Sequence, residues 1–311
     1  MKVDPIRRVT EREILALPKG YASLEAPVII AGGAAMWPAM VTMQLRELKK
    51  RFGALRIPVR PTDDEFEVFF GGKALNFGRR HMMTLAEYVD ALECLDPSAP
   101  RPPYAGNISI LNDPAAARQL HVLTQECHFP DLALESHSKD YRLWIGARGQ
   151  RSTIHNDAYH NLNAQIVGQK RVFAFSPEQH RLLYPAFMTR ATWASPVDPA
   201  APDLTRYPDF DQVCALQGEL GPGDVLFLPR FWWHSLEALS VCVNINQWLY
   251  TIAGDRYWHE QPQARHLINH QDLLATQRRK YEALSSDLQA YYAEDFESLK
   301  SDLQRFVNLA P

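Results

Sequence analysis

Apolar and polar residues alternate in short runs through the middle of the chain, and apolar residues recur at helical spacing toward its end. The run Asn161-Leu162-Asn163-Ala164-Gln165-Ile166-Val167, the glycine at 168 and residues 170–175 predict a strand, a tight turn and a second strand. Residues 220–229 predict a turn at Gly221-Pro222-Gly223, an apolar strand over 225–228, and a stop at Pro229, which lacks the N–H a ladder needs. Residues 27–33 predict a buried strand ending in a Gly turn, and residues 45–52 an amphipathic helix stopped by Gly53. Residues 65–70 predict a strand closed by Gly71-Gly72. Residues 84–92 predict a helix whose N-cap Thr84 and following Glu87 form a capping box. The Pro-rich stretch 97–103 predicts a loop. After Gly254, Leu273, Tyr281, Leu284, Leu288 and then Phe296, Leu299 and Leu303 recur at helical spacing.

These elements predict a mainly β protein with added helices. Its centre, roughly 141–250, has the short strands and Gly/Pro turns of a double-stranded β-helix, a jelly-roll form. We divide the chain into an N-terminal α/β extension (1–103), a β-helix core (104–250) and a C-terminal helical segment (251–311). Residues 186–211, rich in Pro, Asp and Thr, predict a long insertion between strands, placed to cover a substrate.

Composition narrows the class. The chain has 311 residues, 46% of them hydrophobic, enough for one large core plus appendages. A net charge of −3 gives no general pull toward DNA or an anionic membrane. Cys94, Cys127, Cys214 and Cys242 show no CxxC or zinc spacing, which predicts free thiols in a reducing compartment. The first eight residues lead into no apolar run, so no signal peptide is expected. The uncharged stretch 26–45 is broken by Pro27, Gly32, Gly33 and Pro38, so no membrane span is expected. A cytoplasmic protein follows.

The chemistry concentrates in two places. In Ser152-Thr153-Ile154-His155-Asn156-Asp157, His155 and Asp157 are two apart, and on a strand such side chains share a face. About 80 residues later, Phe231-Trp232-Trp233-His234 offers a second imidazole, which can complete a two-histidine, one-carboxylate set. That set leaves coordination positions open, as non-haem Fe(II) requires when it must bind a co-substrate and O₂ together. His160 lies an odd number of residues from both His155 and Asp157, so it is expected to face away, beside the site or at the surface. His121, His128, His137 and His180 lack ligand spacing and are expected to be solvated. Trp232, Trp233 and Trp248 are expected to line the pocket, with ordinary packing as the alternative.

The stretches "IHNDAYHNLNAQIVGQKRVFAFSPEQHRLLYP", "RYPDF" and "GELGPGDVLFLPRFWWHSLEAL" resemble JmjC-type Fe(II)/2-oxoglutarate oxygenases of the cupin superfamily. Within that family they are most similar to the compact branch that includes the asparaginyl hydroxylase acting on hypoxia-inducible factor. The resemblance implies His155, Asp157 and His234 as iron ligands. It implies Lys170 as the cation pairing with the distal carboxylate of 2-oxoglutarate, and Ser152 as a hydroxyl on the same carboxylate, with Thr153 one residue away as the alternative. It places Asn161 and Asn246 at the co-substrate end of the pocket and Tyr104 as a phenol donor there. The implied reaction is hydroxylation of a C–H bond, first of a protein or peptide side chain, with release of succinate and CO₂. A small metabolite, a modified tRNA base, or a non-catalytic binding module remain alternatives. Demethylation ranks lower, because this chain has no room for chromatin-reader modules. A homodimer built from the C-terminal helices is also implied.

Overall fold

The computed structural model describes residues 1–59, 81–94, 102–111, 114–130, 136–157, 160–184, 193–230, 232–251 and 282. The predicted strand at 65–70, most of the 97–103 loop and the C-terminal helices with their dimer contact lie outside the described residues.

Two facing sheets carry the fold. One has six strands: β1 (Lys2–Pro5), β8 (Ile154–Asn156), β10 (Lys170–Phe175), β11 (Trp193–Ser195), β12 (Cys214–Leu220) and β14 (Trp233–Ala238). Their spatial order is β1-β12-β10-β14-β8-β11. The other has seven: β2 (Arg7–Val9), β3 (Val28–Ile30), β6 (Ala105–Ser109), β7 (Ser136–Gly146), β9 (His160–Val167), β13 (Val225–Leu228) and β15 (Cys242–Thr251). Their order is β2-β3-β13-β9-β15-β7-β6. A separate hairpin joins β4 (Arg56–Val59) to β5 (His81–Thr84). The arrangement is that of a jelly roll.

Alternation assigns every central strand one outer and one inner face. In β9, Leu162, Ala164 and Ile166 join the core outside the seven-stranded sheet, so Asn161, Asn163 and Gln165 face the other sheet. In β10, Phe173 and Phe175 join the core outside the six-stranded sheet, while Lys170 and Val172 turn inward. β13 is apolar on both faces. Val225 and Phe227 pack outward, and Leu226 and Leu228 join Val172 and Leu220 between the sheets. The inter-sheet space is therefore apolar at one end and polar at the other.

Helices cover the outer face of the seven-stranded sheet. Among the described residues they are α1 (Glu11–Leu15), α2 (Ala39–Thr42), α3 (Leu45–Phe52), α4 (Leu85–Glu93) and α5 (Pro114–Gln125). The predicted capping box holds: Glu87 N donates to Thr84 Oγ1 at 3.2 Å, and Thr84 N donates to Glu87 Oε2 at 2.8 Å. The α4 residue Tyr88 is fully buried and donates to the Ile145 carbonyl at 2.9 Å, fixing the helix to β7. Gly168 closes the β9–β10 turn at φ 75°, and a Cβ there would meet the Val241 carbonyl oxygen at 2.0 Å, so the turn that delivers Lys170 requires glycine. No helix among the described residues is long and apolar enough to cross a membrane.

Three expectations need correction. The described part of the 186–211 insertion is not a free loop. Its β11 pairs with β8, setting Ala194 opposite His155, and Phe210 is fully buried in the outer core. Trp233 likewise packs into that outer core rather than the cavity, and Trp232 donates its indole N–H to the Glu25 carbonyl at 3.0 Å. His180 is not solvated. It is 2% exposed, with its ring 5.1 Å from that of Trp233, because the short 3₁₀ turn over Pro177–Leu183 folds it onto the sheet. His121 and His128 are exposed as expected.

Burial, with Arg181 nearby, lowers the His180 pKa to about 3. The unfolded chain then takes up this proton first, so stability falls as pH drops from 6.5 toward 3. Between pH 7 and pH 5 the wild type is expected to lose about 2 kcal/mol more than His180→Phe. Denaturant melts at the two pH values measure this; parallel losses would show that His180 takes up its proton as readily in the fold as in the unfolded chain.

Candidate metal centre

The strand register brings the two histidines together. β14 runs antiparallel to β8 with His234 directly opposite His155, and the ring centroids are 4.3 Å apart. Asp157 follows β8 by one residue and keeps the inward face of His155. The ligand-type atoms of His155, Asp157 and His234 all lie within 4.8 Å of one another. The His234 Nε2 to Asp157 Oδ2 separation is 3.8 Å. That is too long for a hydrogen bond, yet short enough for both atoms to bond one ion at about 2.1 Å.

Each imidazole is oriented from behind. His155 Nδ1 lies 2.8 Å from the Thr153 carbonyl oxygen, and His234 Nδ1 lies 3.0 Å from that of Trp232. A carbonyl can only accept, so both Nδ1 atoms donate and Nε2 is the nitrogen each ring has available for a metal. Burial, then the neighbouring His155, lowers the His234 pKa to about 4. The ring is therefore neutral near pH 7, as a metal ligand must be. The donor set and its orientation fit a divalent transition metal.

The trio opens into a cavity between the sheets. All the sequence-predicted site residues line it: Tyr104, Ser152, His155, Asp157, Asn161, Lys170, His234 and Asn246. The Tyr104 ring fits because two glycines flank it; a Cβ on Gly106 would meet it at 2.6 Å and one on Gly146 at 3.0 Å. Ser152, not Thr153, reaches the cavity, and its hydroxyl also accepts from the Leu236 N–H at 3.0 Å. His160 stays out of the cavity. It is half-buried, stacked on Phe227 at 5.8 Å, and accepts from the Arg230 N–H at 3.4 Å.

Lys170 is 6% exposed and makes no ion pair with a carboxylate among the described residues. Its ammonium donates to Asn244 Oδ1, and burial lowers its pKa to about 8. A buried cation that faces a cavity and is paired with no carboxylate among the described residues suits a ligand that brings one.

Four lining residues with aromatic or amide side chains escaped the sequence reading: Trp144, Gln150, Asn163 and Asn244. A signal for two of them existed. Asn161-x-Asn163 and Asn244-x-Asn246 each place two amides on one strand face. The amides meet across the β9–β15 pair: Asn246 Nδ2 donates to Asn161 Oδ1, and Asn244 Nδ2 to Asn163 Oδ1, both at 3.0 Å. Trp144 Nε1 donates to Asn246 Oδ1 at 2.5 Å.

A two-sheet jelly roll with an inward His/Asp/His cluster defines a metal-capable cupin. Residues 15–255 match the cupin-like domain family, and the chain belongs to it. It is 26% identical over 236 residues to "Lysine-specific demethylase 8" of Xenopus tropicalis, covering 73% of this chain and 49% of that protein. It is 26% identical over 250 residues to human "Bifunctional peptidase and (3S)-lysyl hydroxylase JMJD7", covering 71% and 76%. A stretch of 111 residues is 40% identical to "HSPB1-associated protein 1" of Rattus norvegicus, covering 34% of this chain and 23% of that one. The chain thus spans about half the length of the demethylase.

Asp157→Ala is expected to weaken binding of a divalent transition metal at least about a hundredfold, since losing a ligand costs more than losing its outer support. Calorimetric titration with Mn(II) or Zn(II) reads this directly. Unchanged affinity would remove Asp157 from the ligand set.

Proposed function

We propose that this protein is an Fe(II)- and 2-oxoglutarate-dependent oxygenase that hydroxylates a C–H bond of a protein or peptide side chain. The observation that carries the reading is the convergence of His155, Asp157 and His234 on one cavity with the buried cation Lys170, which is paired with no carboxylate among the described residues. Two imidazoles and one carboxylate suit Fe(II) and leave coordination positions open. The bound iron and 2-oxoglutarate would supply the oxidising chemistry, with succinate and CO₂ as by-products.

The chain's own residues bind and orient. His155, Asp157 and His234 would hold the metal, with the Thr153 and Trp232 carbonyls fixing the rings. Lys170 would receive the far carboxylate of 2-oxoglutarate, joined by the hydroxyls of Ser152 and Tyr104. Asn161 and Asn246 would supply amide contacts nearer the metal. Trp144 and Trp248 wall the cavity and would limit water. A protein side chain is favoured as substrate because two relatives are named for lysyl residues, one as a hydroxylase and one as a demethylase. The asparaginyl branch that the motifs resemble would also take a protein substrate.

Lys170→Ala is expected to raise the Kd for 2-oxoglutarate about a hundredfold, the worth of one buried charge-assisted contact, with metal affinity changed less than about twofold. Equal losses of both would count against the assigned role. The wild-type affinity should also depend on pH. The empty-cavity ammonium loses its proton near pH 8, and an anionic ligand binds the protonated form. Affinity should therefore be flat below that pH and about tenfold weaker at pH 9 than at pH 7. Calorimetry with a redox-inert divalent metal in place of iron measures both effects. The reading fails if the metal-loaded protein binds no 2-oxoglutarate.

A further inference from the structure

The buried amides around Lys170 form directed chains. A lysine ammonium has only donors, so the atom it meets on Asn244 must be the oxygen. The Asn244 NH₂ then points to Asn163 Oδ1 at 3.0 Å, which leaves the Asn163 NH₂ uncommitted among the described residues. The neighbouring chain has the same sense. The Trp144 indole, also donor-only, reaches Asn246 Oδ1 at 2.5 Å, and Asn246 passes a donor to Asn161 at 3.0 Å. Each chain begins at an obligate donor and ends at a carboxamide NH₂ on β9. Asn161 and Asn163 both line the cavity. The Lys170 ammonium and the carboxamide NH₂ groups that end these chains are matched to an acceptor-only ligand group, a carboxylate.

Asn244 and Asn163 are also placed to hold Lys170 across the interior. Lys170 stands on β10 of the six-stranded sheet, and the two asparagines stand on β15 and β9 of the other. Asn244 is 1% exposed and Asn163 6%. Among the described residues, no acidic side chain other than Asp157 lines the cavity. A carboxylate at position 244 would hold the lysine as well or better, but would cancel its charge. A neutral amide oxygen moors the ammonium and leaves the charge unspent.

We propose that Asn244, backed by Asn163, is a positioning residue: it holds the Lys170 ammonium inside the cavity without neutralising it, so the cation is ready for the distal carboxylate of a 2-oxo dicarboxylic acid. This rests on the co-substrate reading above. Asn244→Asp keeps the size and an acceptor for Lys170 but adds a competing charge. Asn244→Leu removes the mooring.

The test is calorimetric titration of the full chain, loaded with Mn(II), with 2-oxoglutarate and with 2-oxopentanoate, which has the same keto-acid head but no distal carboxylate. Wild type should prefer 2-oxoglutarate strongly. Asn244→Asp should weaken 2-oxoglutarate about a hundredfold and leave 2-oxopentanoate and Mn(II) within about twofold. Asn244→Leu should weaken 2-oxoglutarate about tenfold with the same selectivity. Wild-type preference that survives in Asn244→Asp would overturn the inference and leave the co-substrate reading standing. Equal weakening of both acids, or of the metal, would show a general structural role and also overturn it. Wild type that binds neither acid would overturn both.

Discussion

The register of β14 between β8 and β10 is the constraint on which the site depends. It sets His234 opposite His155 on one side and opposite Ala174 on the other. A slip of one residue would turn His234 to the outer face and bring Trp233 into the cavity. The metal site itself does not hold this register. The outer face does, where Trp233, Phe173, Phe175 and Ile154 are each at most 6% exposed. Burying one such side chain contributes about 1.5–3 kcal/mol, so a slip would forfeit several times what any inner polar contact supplies. Apolar packing on one face of the strand thus positions the chemistry on the other.

The inner face is costly, and the scaffold absorbs that cost. Keeping Lys170 buried without an anion lowers its pKa from 10.5 to about 8, equivalent to roughly 3 kcal/mol of disfavoured charge. His234 is held neutral for the same reason. At the other end of the same inter-sheet space Leu226, Leu228, Val172 and Leu220 pack together. The interior is divided along the strands: one end closes the sandwich, the other stays open and strained for a ligand.

Much of this was legible in the sequence where a local rule leaves one outcome. His155-x-Asp157 shares a strand face whatever the tertiary context, and Thr84 with Glu87 three residues later caps a helix by itself. Gly168 marked the turn before Lys170 because only glycine fits there. The failures share a different cause. Trp232 and Trp233 flank a cavity-facing histidine, yet adjacent strand residues point oppositely, so proximity in sequence misplaced Trp233. His180 looked solvated because its neighbours are polar, and its burial depends on a 3₁₀ turn meeting Trp233 from another strand. The 186–211 segment has the composition of a loop, but β11 gains its ladder from β8, which no local signal encodes. Asn163 and Asn244 were readable as two N-x-N repeats, and only the β9–β15 pairing shows that they meet.

The arrangement also explains how one cavity can hold opposite charges apart. Asp157 and the two imidazole lone pairs seek a cation; Lys170 and the carboxamide NH₂ groups seek an anion. Were Asp157 to pair with Lys170, both would be neutralised and neither could bind a ligand. β14 stands between β8, which leads into Asp157, and β10, which carries Lys170, so its width separates the two charges. Lys170 turns instead across the sandwich to Asn244 on the facing sheet. A neutral acceptor there gives the ammonium a partner that is not the carboxylate. The segregation of acceptors from donors is therefore built into strand order and into one amide, before any metal or ligand enters.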